Sequence, residues 1–72
     1  MSTGTDEDKL RLLLPHWIEH NAEHAAEFRS WAEKARAAGQ EQVAHEIDTA
    51  AKELGWVNEA LGAALDKLGG PA

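Results

Sequence analysis

Residues 10–38 read LRLLLPHWIEHNAEHAAEFRSWAEKARAA, and in them Leu10, Leu14, Trp17, Asn21, His24, Phe28, Trp31, Ala35 and Ala38 recur at alternating spacings of four and three. Such a repeat puts about one residue per turn on a single stripe, the heptad pattern of helices that pack side by side. Pro15 stands inside it. A proline removes one backbone hydrogen bond and crowds the preceding turn. Either a short helix over about 6–14 precedes a new one with Pro15 in its first turn, or one helix runs through with a kink. The repeat passes Pro15 without losing step, which favours a single kinked helix over about 6–38.

Downstream, Val43, Ile47, Ala50, Leu54, Val57, Leu61, Ala64 and Leu68 repeat the pattern after Gly39, predicting a second helix over about 40–68. Alanine, leucine, glutamate and lysine dominate and no alternating apolar run occurs, so the fold class is all-α. Two such helices joined by a turn make an antiparallel hairpin, a single domain over 6–68. Thr5 followed by Asp6, Glu7 and Asp8 is an N-cap with an acidic first turn. Residues 1–5 are expected to be a disordered tail, and residues 69–72, with Gly69, Gly70 and Pro71, a C-terminal tail. Folding the chain about Gly39 sets Trp31 near Ile47, Phe28 near Ala50 and Ala51, His24 near Leu54, Asn21 near Asn58 and Trp17 near Leu61. In that arrangement the aromatic residues fill a groove of Ala44, Ala51, Gly55 and Gly62.

A two-helix hairpin cannot bury a stripe more than ~100° wide on each helix, so homo-oligomerisation into a four-helix bundle is expected. Trp56 falls opposite the apolar stripe and is the candidate interface residue. Thirteen acidic against seven basic residues give a net charge of −6, which disfavours nucleic acid and anionic membranes and favours cations. Absence of cysteine excludes disulfides and sulfur-ligated metals. Neither a signal peptide nor an apolar run near the ~18 residues of a membrane span is present, so the expected compartment is the cytoplasm. Ser30 has no His and acid partners in the pattern and there is no glycine-rich phosphate loop, so the chain is read as a binding protein and not an enzyme.

His16, His20 and His24 stand four residues apart with Glu23 and Glu27 between and beyond them. On a helix they lie along one edge, His20 ~40°, Glu27 ~60° and His16 ~80° round from His24. Imidazole and carboxylate suit zinc, nickel, cobalt or copper where thiolate is lacking. His20, His24 and Glu27 form the ligand set expected to converge on one ion, with His16 or Glu23 assisting and a second copy doubling the donors. The stripe places His24 in the core, largely buried, with His20 and Glu27 flanking it. Asn21 opposite Asn58 either orients these imidazoles or sets helix register as a buried amide pair. Protonated imidazole cannot ligate, so affinity is expected to fall as pH drops through about 6.5. His45 points elsewhere and is read as solvated. The alternative is a structural or protein-interaction module in which the histidines carry no metal. More remote is a haem held by His24 of two copies, against which stands the crowding of Trp17, Phe28 and Trp31 about that residue.

The segment from Leu14 to Asn21, followed by Glu23, His24, Ala25, Phe28, Trp31, Ala32, Ala35 and Gly39, resembles a small helical-hairpin domain of unknown function found in prokaryotic proteins. The resemblance extends over about residues 10–68. It implies that His16, Trp17, His20, Asn21 and His24 belong to one recurring motif.

Overall fold

The computed structural model describes residues 4–71; residues 1–3 of the expected N-terminal tail and residue 72 lie outside the described residues. Helix α1 spans Asp6–Ala37 and helix α2 spans Glu41–Lys67, and no strand occurs among the described residues. Thr5 is ordered as the N-cap of α1: its Oγ1 accepts from the Asp8 N–H at 3.1 Å, and Asp6, Glu7 and Asp8 face the positive end of the helix dipole. Pro15 sits within α1, which continues through it unbroken; the alternative of a separate short helix does not occur.

The turn is short because one motif ends α1 and leads directly into α2. Gly39, at φ 80°, donates its N–H to the Arg36 carbonyl, and Gln40 donates to that of Ala35 at 2.8 Å. Those bonds satisfy the last carbonyls of α1 in a Schellman arrangement, which needs a left-handed residue after the C-cap. Gly69, at φ 90°, repeats the device at the end of α2, with Gly70 donating to the Leu65 carbonyl. An alanine at position 39 carries the left-handed penalty, so Gly39→Ala is expected to lower stability by ~1 kcal/mol. Gly55 lies within α2 with open space where a Cβ would stand. Gly55→Ala is therefore expected to raise stability by ~0.5–1 kcal/mol. Urea unfolding of both variants checks the pair of signs.

The hairpin is a rod 59 Å long and 16 by 13 Å in section, held in register at three points. Near the open end, Arg11 donates through Nε and Nη2 to the Leu68 carbonyl, at 3.0 and 2.8 Å, capping α2 with a cation where its dipole is negative. Midway, Asn21 Nδ2 donates to Asn58 Oδ1 at 3.1 Å, and Asn58 Nδ2 donates to the Ile18 carbonyl at 2.9 Å. Beside the turn, Arg36 reaches Asp48 and Glu41, both at 2.9 Å. The pairing of Asn21 with Asn58 is the register expected from folding about Gly39.

The rotation of the helices about their own axes differs from expectation. The fully buried residues are Leu14, Ala25, Ala32, Ala44 and Ala51, with Ile18, Asn21, Phe28, Ile47, Leu54, Asn58, Leu61 and Leu65 half-buried beside them. On α1 the seam thus keeps the 14, 21, 28 half of the expected repeat but takes 18, 25, 32 in place of 17, 24, 31. On α2 it keeps 47, 54, 61 and takes 44, 51, 58 in place of 43, 50, 57. Trp17 is 40 % exposed and Trp31 55 %. Trp17 and Trp31 therefore do not fill the groove of Ala44, Ala51, Gly55 and Gly62, while Phe28 stays half-buried at the seam; Ala25 and Ala32 take the fully buried places of α1 instead. Small side chains let two helices approach closely, and a tryptophan between them would hold the axes apart.

Candidate functional site

The same rotation carries the histidine edge out of the core. His24 is an exposed residue, its side chain 47 % accessible, and His16, His20, Glu23 and Glu27 are exposed with it. The expected burial of His24 is corrected on this point: at position 24 the chain faces sideways from the seam, and Ala25 takes the buried place. The i,i+4 spacing does stack the rings. His20 and His24 have centroids 4.5 Å apart with planes tilted by 33°, while His16 stands off at 6.2 Å from His20. His24 Nδ1 lies 3.3 Å from Glu27 Oε1. Among the described residues no hydrogen bond joins Glu23 to these rings. Among the described residues no three His, Asp or Glu side chains gather into a group able to hold a metal ion. One hairpin brings together His20, His24 and Glu27 as neighbours and leaves them open to solvent.

His24 and Glu27 also border something apolar. With Phe28, Trp31, Ile47 and Leu54 they line an open groove of about 520 Å³ running between the helices. At ~100° per residue, Leu10, Trp17 and Trp31 of α1 lie on the same side of the hairpin as Val43, Ala50 and Val57 of α2. Leu10, Trp17, Trp31, Val43 and Val57 are all exposed large apolar residues. Lys34 Nζ stands 4.2 Å over the Trp31 ring at the border of this face. Of the three aromatic residues expected to crowd His24, Phe28 stands beside it with ring centroids 6.0 Å apart, whereas Trp17 and Trp31 are exposed.

A family model described as a domain of unknown function, DUF8180, matches residues 10–68. The chain belongs to the DUF8180 family. An uncharacterized protein of Archaeoglobus fulgidus is 37 % identical over 62 residues, covering 86 % of this chain and 98 % of that one. No solved structure matches. The DUF8180 match begins one turn into α1 and ends at the C-cap of α2, so the family unit is the hairpin itself, histidine edge and apolar face included.

Within this DUF8180 hairpin the remaining singled-out residues fall elsewhere. Asn21 donates to Asn58, Asn58 donates to the Ile18 carbonyl, and neither amide hydrogen-bonds an imidazole among the described residues, so the pair ties α1 to α2 and does not orient the histidines. Trp56 is 61 % exposed on the outer side of α2, ~100° round from Val57, and does not join the Trp17 and Trp31 face. His45 is exposed beside Arg36, Glu41, Gln42 and Glu46, apart from the other histidines.

Two arginines carry structural weight that the sequence pattern did not reveal. Arg11 and Arg36 look like ordinary surface charges in a helix, and no spacing rule links Arg11 to the Leu68 carbonyl 57 positions away. Arg36 adds Glu33, at 3.2 Å, to its bonds with Glu41 and Asp48. The hydrogen bond to Asp48, then that to Glu41, holds its guanidinium charged still more firmly than an ordinary arginine. Acids two and nine residues beyond a glycine turn, with a basic residue three before it, are the signal that marks such a clamp in retrospect.

Proposed function

We propose that this chain is a helical interaction module that pairs with a second copy through the Trp17 and Trp31 face, forming a four-helix bundle whose role is binding and not turnover. One observation carries the reading: five large apolar side chains, Leu10, Trp17, Trp31, Val43 and Val57, lie exposed on one side of the hairpin, with Leu12 and Trp56 elsewhere on the surface, while the buried part of the seam is four alanines and Leu14. Among the described residues no side chain larger than alanine is fully buried apart from Leu14, at 3 % exposure. A chain of this size with so thin a core lacks the burial that offsets chain entropy, and a second copy supplies it.

Size and pattern both suit a second copy. The face is 59 Å long and 16 Å wide in outline, comparable with the roughly 800 Å² per partner of a stable interface. Both helices present a heptad repeat to it, so each copy offers the ridges and grooves that the other needs, as a two-fold interface requires. The test is the mass in solution. At about 100 µM, far above the micromolar dissociation constants common for such interfaces, light scattering is expected to give twice the 7.8 kDa chain mass. A monomer mass there, both with and without added nickel or zinc, would overturn the reading.

The stacked His20 and His24, with Glu27 on His24, favour a second role for the same module, the binding of zinc, nickel, cobalt or copper. That role needs ligands which one hairpin does not gather.

A further inference from the structure

We infer that pairing completes an intersubunit transition-metal site, in which His20 and His24 of one copy meet His24 and His20 of the other, with Glu27 of each at the border. This rests on the pairing proposed above. The half-built state of the site in one copy is what points to it. His20 and His24 present two imidazoles 4.5 Å apart, and Glu27 lies 3.3 Å from His24. A chain that offers two nitrogens and one carboxylate falls short of the four to six donors that a divalent transition metal takes, and a two-fold axis doubles what is there.

Position along the rod supplies the second argument. Helix α1 spans Asp6–Ala37, so its midpoint lies between Asn21 and Ala22, and His20 and His24 stand on either side of that midpoint. Two hairpins that overlap along their full length with turns at opposite ends set α1 antiparallel to its own copy, crossing at that midpoint. In that register position 20 of each copy falls opposite position 23 of the other, so each His20 comes within one residue, about 1.5 Å of helix rise, of the other copy's His24. His24 borders the apolar groove that the pairing covers, so the ion would sit at the edge of a dry interface, where ligand bonds are least contested by water. The net charge of −6, with Glu23 and Glu27 adjacent, draws cations toward it.

The experiment uses the untagged full chain, stripped with EDTA and exchanged into chelator-free buffer, then titrated calorimetrically with nickel chloride and, separately, zinc chloride while light scattering reads the mass. One ion per two chains is expected, with His24→Ala weakening affinity by at least tenfold. His24→Ala is expected to stay paired, and His45→Ala to bind as wild type does. Pairing that appears only on adding metal also supports the site. Four results overturn it: a paired protein that takes up neither ion; one ion bound per chain; unchanged affinity in His24→Ala; or equal affinity in a monomeric Trp31→Asp variant. Uptake of hemin with a Soret band that His24→Ala abolishes, in the absence of nickel or zinc binding, would assign the paired histidines to haem instead. A chain monomeric with and without metal fails the pairing proposal itself, whereas a paired chain that binds no metal fails only this one.

Discussion

Trp31→Asp is expected to give a folded hairpin that no longer pairs, its light-scattering mass falling to that of one chain while far-ultraviolet circular dichroism stays helical. Trp31 is 55 % exposed in the single hairpin, so its ring contributes little to the seam, and the substitution leaves Leu14 and the four buried alanines untouched. In the proposed pair, the same position lies under the second copy. A carboxylate there loses its hydration without gaining a partner, at a cost of several kcal/mol, and the two-fold imposes that cost twice. The dissociation constant is therefore expected to rise by at least ~1,000-fold, which is ~4 kcal/mol. Helix formation survives because Lys34, three residues on, lies close enough to pair with the new carboxylate. Trp56→Asp is the control, since Trp56 projects from the far side of α2 and its loss is expected to leave the mass unchanged. A Trp31→Asp protein that remains paired, or a Trp56→Asp protein that comes apart, would place the interface elsewhere.

Ala32→Leu tests the seam in the opposite sense. Ala32 and Ala44, one on each helix, are fully inaccessible, so the methyl group of each is closed in on every side. Three further carbon atoms at position 32 force the helices apart or into strained rotamers, which costs ~1–3 kcal/mol. By contrast Ala22 and Ala26 are exposed on α1, and leucine at either is expected to change stability by no more than ~0.5 kcal/mol. Urea unfolding at one fixed chain concentration compares the three. Were the helices rotated so that Trp17, His24 and Trp31 lay in the seam, Ala32→Leu would be mild, and a midpoint equal to that of Ala26→Leu would falsify the alanine seam.

Much of the fold was legible in the residues because it depends on local rules. Thr5 with its acidic first turn, Gly39 at the reversal and the 4,3 repeats are each settled within a few residues, by capping, by φ and by turn periodicity. Register followed from chain reversal alone: once Gly39 is the turn, Asn21 must come opposite Asn58, and their 3.1 Å bond is the result. The two i,i+4 steps among His16, His20 and His24 likewise predict rings on one edge, as the 4.5 Å separation of His20 and His24 bears out.

What the residues alone left open was which half of a wide apolar stripe faces the other helix. On α1, Leu14, Asn21 and Phe28 are common to two candidate stripes, one completed by Trp17, His24 and Trp31 and the other by Ile18, Ala25 and Ala32. Hydrophobicity favours the first, because tryptophan offers more apolar surface than alanine. Geometry between two helices favours the second, because only small side chains allow close approach along the whole rod. Periodicity is a property of one helix, and the sequence by itself determined the two helices, their caps, their turn and their register. Rotation about each axis belongs to the pair of helices, since steric volume is decided between facing surfaces. Only the tertiary structure put Ala25, Ala32, Ala44 and Ala51 inside, and so left Trp17, His24 and Trp31 facing outward.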